Sequence, residues 1–217
     1  MEKISVVIVD DHKIFREGFK LLLSRFPFVE IAGEAADGAE FLNLLEETVP
    51  DIVFMDISMP GANGIEATKT ALERIEKLKI IALTTFLEED YIEQMILAGV
   101  EGYMLKNSDI GEFEKAIRRV HEGGNYFSEE IVAVLLGNIS KIRQRSSTRS
   151  DAPEFTPKEA EILELICKGL NNAQIAEVAF MSVKTVEKYK SSLFQKTGAH
   201  NTVNLVIYAF KNQLVSF

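Results

Sequence analysis

The chain has 217 residues, of which 47% are apolar, 9% aromatic and 26% charged, a globular composition that excludes disordered and fibrous chains. No apolar run approaches the roughly 18 to 20 residues of a membrane helix, and a single cysteine, Cys167, excludes an internal disulfide and a cysteine metal cage; a cytoplasmic protein without membrane contact is expected. The net charge of −9 hides an asymmetry: residues 1–130 hold 26 acids and 13 bases while residues 131–217 hold 7 and 11, so two domains with different partners are expected.

Short β-branched runs alternate with amphipathic stretches over the first 122 residues, the pattern of a parallel sheet with helical crossovers. The strands read Ile4 to Val9, Val29 to Glu34, Asp51 to Met55, Lys79 to Thr84 and Glu101 to Leu105. Val6-Val7-Ile8-Val9 has no polar alternation, as expected of a strand covered on both faces. Ile14, Gly18, Leu21, Leu22 and Leu23 are expected to mark the first helix near helical spacing, and Gly38, Gly64, Gly99 and Gly111 to mark element ends.

In an open doubly wound sheet chemistry gathers at the carboxyl ends of the strands. Those ends carry Asp10-Asp11, Asp56, Thr84-Thr85 and Lys106. With the flavodoxin-like strand order, the first and third strands are neighbours and Asp10, Asp11 and Asp56 converge. Three carboxylates in one pocket repel, and a hard divalent cation such as Mg²⁺ resolves the repulsion.

Ser128-Glu129-Glu130 opens a bridging helix with Val132, Leu135, Leu136 and Ile139 on one face, and residues 141–153, rich in Ser and Arg, read as a linker. Thr156-Pro157-Lys158-Glu159 forms a capping box, and Gly169 stops the helix it opens. Asn171 or Asn172 caps a short second helix; a turn at Phe180-Met181-Ser182 leads into a third over residues 183–197, which is helix-turn-helix spacing. At about 100° per residue, Val186, Leu193 and Thr197 share one side of that helix while Lys184, Lys188, Ser191 and Gln195 share the other. Residues 183–198 carry four lysines and one acid, a charge focused where a major-groove helix needs it. The last helix, Thr202 to Leu214, is expected to bury Val203, Val206, Ile207 and Phe210, leaving Leu205 and Tyr208 available.

Val9-Asp10-Asp11, Met55-Asp56 with Met59-Pro60-Gly61, Leu83-Thr84, and Gly102-Tyr103-Met104-Leu105-Lys106 together resemble the receiver domain of bacterial two-component response regulators. Phe155-Thr156-Pro157-Lys158-Glu159, Gly169-Leu170-Asn171-Asn172, Ile175-Ala176, Ser182 with Lys184-Thr185-Val186, and Gly198 resemble the LuxR-type helix-turn-helix, so the whole is similar to the NarL/FixJ branch. The resemblance implies an α/β plus all-α protein: a flavodoxin-like (βα)5 receiver domain over 1–124, a bridging helix and linker over 125–153, and a C-terminal four-helix LuxR-type helix-turn-helix domain over 154–217. It implies that Asp56 is the phosphoacceptor for a sensor histidine kinase, with Mg²⁺ as cofactor. Asp10, Asp11, Asp56 and the Ser58 carbonyl are the implied metal ligands. Thr84, Lys106 and Tyr103 are implied to bind phosphate or to switch. It also implies double-stranded DNA as partner, with Lys184, Thr185, Lys188, Lys190, Ser191 and Ser192 in contact, and a homodimer formed on phosphorylation or DNA binding through the last helix, the receiver or both. No enzyme activity is expected beyond the receiver's own Mg²⁺-dependent phosphorylation and dephosphorylation.

The chain departs from the family at Asn107, where proline often follows the lysine, at Glu187, where relatives carry a base, and at Tyr189, where histidine is usual. Phe86 and Ser58 fall at positions that tune phosphoryl lifetime in the family, and Phe86 is expected to cover the site against water. The charge asymmetry also suggests that the acidic receiver attracts the basic recognition helix. The alternative is a regulator that binds DNA without phosphorylation and uses its receiver as a docking module. A phosphatase is disfavoured, because Ile57-Ser58 after Asp56 supplies no second acid as proton donor.

Overall fold

The computed structural model describes residues 3–59, 64–134, 153–199, 201–212 and 214–215. β1 (Ile4–Val9), β2 (Val29–Ala35), β3 (Ile52–Asp56), β4 (Lys79–Thr84) and β5 (Gly102–Leu105) alternate with α1 (Lys13–Leu23), α2 (Gly38–Glu47), α3 (Gly64–Arg74), α4 (Glu89–Ala98) and α5 (Ile110–His121). The strands pair in parallel in the order β2-β1-β3-β4-β5-β6, so β1 and β3 adjoin as the flavodoxin-like order requires. Val6 to Val9 and Ile52 to Met55 are buried throughout, with one apolar cluster on each face of the sheet. Two-sided burial is why these strands show no polar alternation.

The sixth strand, β6 (Tyr126–Phe127), pairs with β5 through Gly102↔Tyr126 and Tyr103↔Phe127. It corrects the expectation of five strands and extends the sheet past residue 124. A second correction concerns α1, where Ile14 is 90% and Leu21 72% exposed. The stripe that packs inward is Phe15, Phe19, Leu22, Leu23 and Phe26, whose spacing keeps one helical phase. Phe19 anchors it by meeting Phe54 and Phe113 edge-on with ring centroids 4.9 Å apart.

Residues 129–134 are helical (α6), and Ile131 is the residue of this turn that is fully buried against the sheet, in place of Val132. The expected positions Leu135, Leu136 and Ile139 and linker residues 141–152 lie outside the described residues. A helical unit then follows: α7 (Pro157–Cys167), α8 (Asn172–Val178), α9 (Val183–Thr197) and α10 (Thr202–Lys211). Each of the first three starts on a side-chain cap: Thr156 accepts from Glu159 N, Asn171 from Gln174 N and Ser182 from Thr185 N. Each cap satisfies a backbone N–H that the helix itself leaves open.

Ile162, Leu163, Ile166, Ile175, Val186, Leu193, Leu205 and Ala209 form the core of this unit. Leu205 is therefore a core residue, against expectation, while Val203 and Ile207 pack on the cluster of the sheet domain. The cause is the phase of α10: Leu205 and Ala209 share the face toward α7 and α9, and Val203 and Ile207 share the nearly opposite one. Further contacts join the two units. Arg119 Nη2 donates to Gly169 O at 2.8 Å, Lys190 Nζ to Gly123 O at 3.4 Å, and Asn201 Nδ2 to Val100 O at 3.0 Å. These bonds run from side chains to carbonyls, so the junction rests on dipoles and apolar contact.

Candidate functional site

The carboxyl ends of β1, β3 and β5 bring Asp10, Asp56 and Lys106 together. Lys106 Nζ lies 2.6 Å from Asp10 Oδ2 and 2.9 Å from Asp56 Oδ2, with both carboxylates buried. The Lys106 ammonium sits 4.8 Å from the centre of the Phe15 ring, which confines it on its apolar side. Burial raises the Asp56 carboxyl above the usual aspartate range and the Lys106 ammonium opposes that rise. Asp10 Oδ1 accepts from His12 N at 2.8 Å, and Arg16 Nη1 donates to the Asp10 carbonyl at 2.6 Å. Together they fix the turn after β1.

Ligand atoms of Asp10, Asp11, His12 and Asp56 all lie within 4.8 Å of one another. Asp10 Oδ2 and Asp56 Oδ2 share the single Lys106 ammonium and Asp11 Oδ1 meets His12 Nδ1, so three carboxylates outnumber the one lysine among them, and hard oxygens in such excess are what a divalent cation of the Mg²⁺ class requires. The donor set therefore fits that ion. Ser58 N approaches Asp56 Oδ1 at 3.4 Å, which folds the chain after β3 back over the aspartate. His12 was not anticipated. Its Nδ1 lies 2.9 Å from Asp11 Oδ1, and the signal available in sequence was its place directly after the acid pair.

Gly64 holds the other side of Asp56. An added Cβ there would collide with the Asp56 carbonyl, so α3 starts against the backbone of β3 as only glycine permits. The Lys106–Asn107 bond is trans, like every peptide bond among the described residues.

Thr84 is buried at the end of β4, and its hydroxyl donates to Phe86 O at 2.8 Å while accepting from Phe86 N at 3.3 Å. It is thus engaged with its own loop. Tyr103 is fully buried beside Thr84, its hydroxyl making no aligned hydrogen bond, and burial pushes its phenol upward. Phe86 is 69% exposed, so its ring stands away from the acid pocket in this conformation and does not cover it as expected.

On α9, Val186 and Leu193 face the core, whereas Lys184, Glu187, Lys188, Ser191 and Gln195 are exposed. Ser182 and Thr185 share a hydroxyl hydrogen bond at 2.8 Å that tightens the first turn. Lys190 is turned toward the sheet domain, donating to Asn172 Oδ1 at 3.2 Å as well as to Gly123 O, and burial lowers its pKa. Ser192 Oγ donates to Glu159 Oε1 at 2.7 Å. The structure therefore gathers four of the expected DNA-facing residues, Lys184, Thr185, Lys188 and Ser191, near one surface and places Lys190 and Ser192 in internal contacts.

The response regulator receiver domain model matches residues 6–118, and that of the bacterial regulatory proteins of the luxR family matches residues 153–209. The oxygen regulatory protein NreC of Staphylococcus aureus (strain MRSA252) is 38% identical over 215 residues, spanning 98% of this chain and 99% of the relative. The RcsB response regulator of Salmonella typhimurium has a TM-score of 0.60 at 26% identity over 96% of this chain and 98% of its own. A structure of two RcsB dimers bound to two parallel DNAs has a TM-score of 0.58 at 26% identity, covering 97% of this chain and 99% of its own. The acid pocket at one end of the sheet and the capped helix-turn-helix behind it are thus features of a known pairing, and the chain belongs to the two-component response regulators of the NarL/LuxR type, which regulate transcription by binding DNA.

Proposed function

We propose that Asp56 accepts a phosphoryl group from a sensor histidine kinase and that this reaction controls DNA binding. The observation that carries the reading is the convergence of the Asp10, Asp11 and Asp56 carboxylates, with the Lys106 ammonium between Asp10 and Asp56. Asp10, Asp11, Asp56 and the Ser58 carbonyl would hold Mg²⁺, which supplies charge neutralisation for the phosphoryl oxygens. An Asp56 oxygen attacks phosphorus, the phosphorus–nitrogen bond of the phosphohistidine breaks, and the imidazole leaves with the bonding pair. Lys106 then pairs with a phosphoryl oxygen, and Thr84, leaving Phe86, donates its hydroxyl to another. Tyr103, already buried beside Thr84, keeps its inward position.

In this reading the receiver is residues 1–124 with β6 completing its sheet, residues 125–153 are bridge and linker, and residues 154–217 are the effector. Lys184, Thr185, Lys188 and Ser191 face the duplex. Lys190 reaches a phosphate once it leaves Gly123, and Ser192 supports α9 from behind through Glu159. A homodimer on DNA follows the arrangement described for RcsB. The structure holds no helix, among the described residues, long and apolar enough to cross a membrane, and a cytoplasmic location suits a DNA-binding partner of a kinase.

The test is Mg²⁺-dependent labelling by acetyl phosphate, wild type against Asp56→Asn, with DNA retardation on the same samples. Label and DNA affinity that rise together and vanish in the variant support the reading. Unlabelled protein that binds DNA equally well overturns it and favours a receiver used as a docking module.

A further inference from the structure

His12 is the N-cap residue of α1, yet its side chain makes no cap hydrogen bond to that helix. The imidazole turns to the acids instead. Its Nδ1 lies 2.9 Å from Asp11 Oδ1 and 3.3 Å from Asp10 Oδ1. The backbone on either side is tied down: His12 N donates to Asp10 Oδ1 at 2.8 Å, His12 O accepts from Arg16 N at 3.1 Å, and Arg16 Nη1 holds the Asp10 carbonyl at 2.6 Å. The side chain is 68% exposed, so core packing does not hold the ring in place, and its contacts with the two acids are what orient it.

The spacing is that of ligands to one ion. Nδ1 belongs with oxygens of Asp10, Asp11 and Asp56 to a group whose members all lie within 4.8 Å of one another. Around an octahedral cation with bonds of about 2.1 Å, adjacent ligand atoms stand about 3 Å apart. His12 Nδ1 already keeps that separation from Asp11 Oδ1. A neutral imidazole that gives Nδ1 to an ion carries its proton on the other ring nitrogen. Oxygens alone suit Mg²⁺, whereas an imidazole nitrogen moves a donor set toward the first-row transition metals. We propose that His12 is a nitrogen ligand in the acid pocket and that it turns the site from Mg²⁺ toward transition divalents such as Mn²⁺. This role rests on the cation site proposed above and not on the phosphoryl transfer.

The test uses the full chain, stripped of metal by a chelator, with Mn²⁺ and Mg²⁺ as probes. His12→Asn keeps the structural duties of the residue, because asparagine is a good N-cap and its amide donates to carboxylates, but it offers no imidazole nitrogen. Electron spin echo modulation of bound Mn²⁺ is expected to show imidazole nitrogen coupling in wild type and none in His12→Asn. Calorimetry is expected to show the Mn²⁺ dissociation constant rising at least about tenfold in the variant, while that of Mg²⁺ changes by less than about twofold. A wild type without nitrogen coupling, or a variant that binds Mn²⁺ as tightly as wild type, overturns the ligand. An equal loss for both ions overturns the selectivity. A wild type that binds neither ion overturns the cation site itself. Nitrogen coupling in a wild type that takes no label from acetyl phosphate supports the ligand and overturns the phosphoacceptor reading.

Discussion

Ser192 on α9 donates its hydroxyl to Glu159 on α7 at 2.7 Å, and Lys196 one turn further on holds the other oxygen of the same carboxylate at 2.7 Å. The recognition helix is thereby set at a fixed angle to the helix behind it. Ser192→Ala removes a hydrogen bond to a charged acceptor and is expected to cost the effector about 1.5 to 3 kcal/mol. Thermal unfolding of the effector in the variant measures this, and an unchanged midpoint would refute the strut.

Glu159 also gives a pH dependence. The ion pair with Lys196, the Thr156 backbone N–H and the Ser192 hydroxyl hold its carboxyl down at about 2, from 4.5. The folded effector thus releases this proton more readily than the unfolded chain does. The contribution to stability is complete above 4.5 and is lost as pH falls toward about 2. Glu159→Gln is expected to be less stable than wild type at neutral pH, with the difference narrowing in acid. Urea midpoints at about pH 3 and pH 6 read the slope.

Lys106 is shared by Asp10 and Asp56. Lys106→Ala leaves two buried carboxylates without their common cation and leaves a phosphoryl oxygen without its partner. Labelling by acetyl phosphate is expected to slow about 10²-fold, the scale of removing one preorganised electrostatic contact. A rate within a factor of two of wild type would place Lys106 outside the reaction.

Gly64→Ala drives a methyl group into the Asp56 carbonyl. Either α3 or the end of β3 must move, at about 1 to 3 kcal/mol of stability, and Asp56 loses its alignment with Lys106. The variant is expected to melt early and to label poorly even at temperatures where it is folded.

Much of this fold can be read from local chemistry. Val6 to Val9 announce a two-sided strand, Thr156, Asn171 and Ser182 announce helix starts, and the acids fall at strand ends because parallel topology puts them there. The failures have equally local causes. Leu21-Leu22-Leu23 is apolar at three successive positions and leaves the phase of α1 undefined, which hides the inward stripe of Phe15 and Phe19. Tyr126 and Phe127 are too few to show a period. In α10 the face of Val203 and Ile207 is buried by a different domain, and no pattern within α10 separates that face from the one that belongs to its own core.

Lys188 lies exposed on the outward face of α9. Lys188→Ala is expected to weaken binding to all duplexes and to lower the slope of log affinity against log salt by about 1, the signature of one lost phosphate contact. If the slope is kept while discrimination between sequences falls, the lysine reads a base edge instead.

The short strand formed by Tyr126 and Phe127 also covers one margin of the sheet. Without it, β5 would present a bare row of backbone N–H and carbonyl groups at the margin of the sheet, a template for a strand from another molecule. The cover comes from the stretch that leads toward the effector, and Phe127 lies in register with Tyr103. A receiver fragment cut after Gly124 therefore loses its guard against edge-to-edge aggregation together with the neighbour that frames its buried tyrosine.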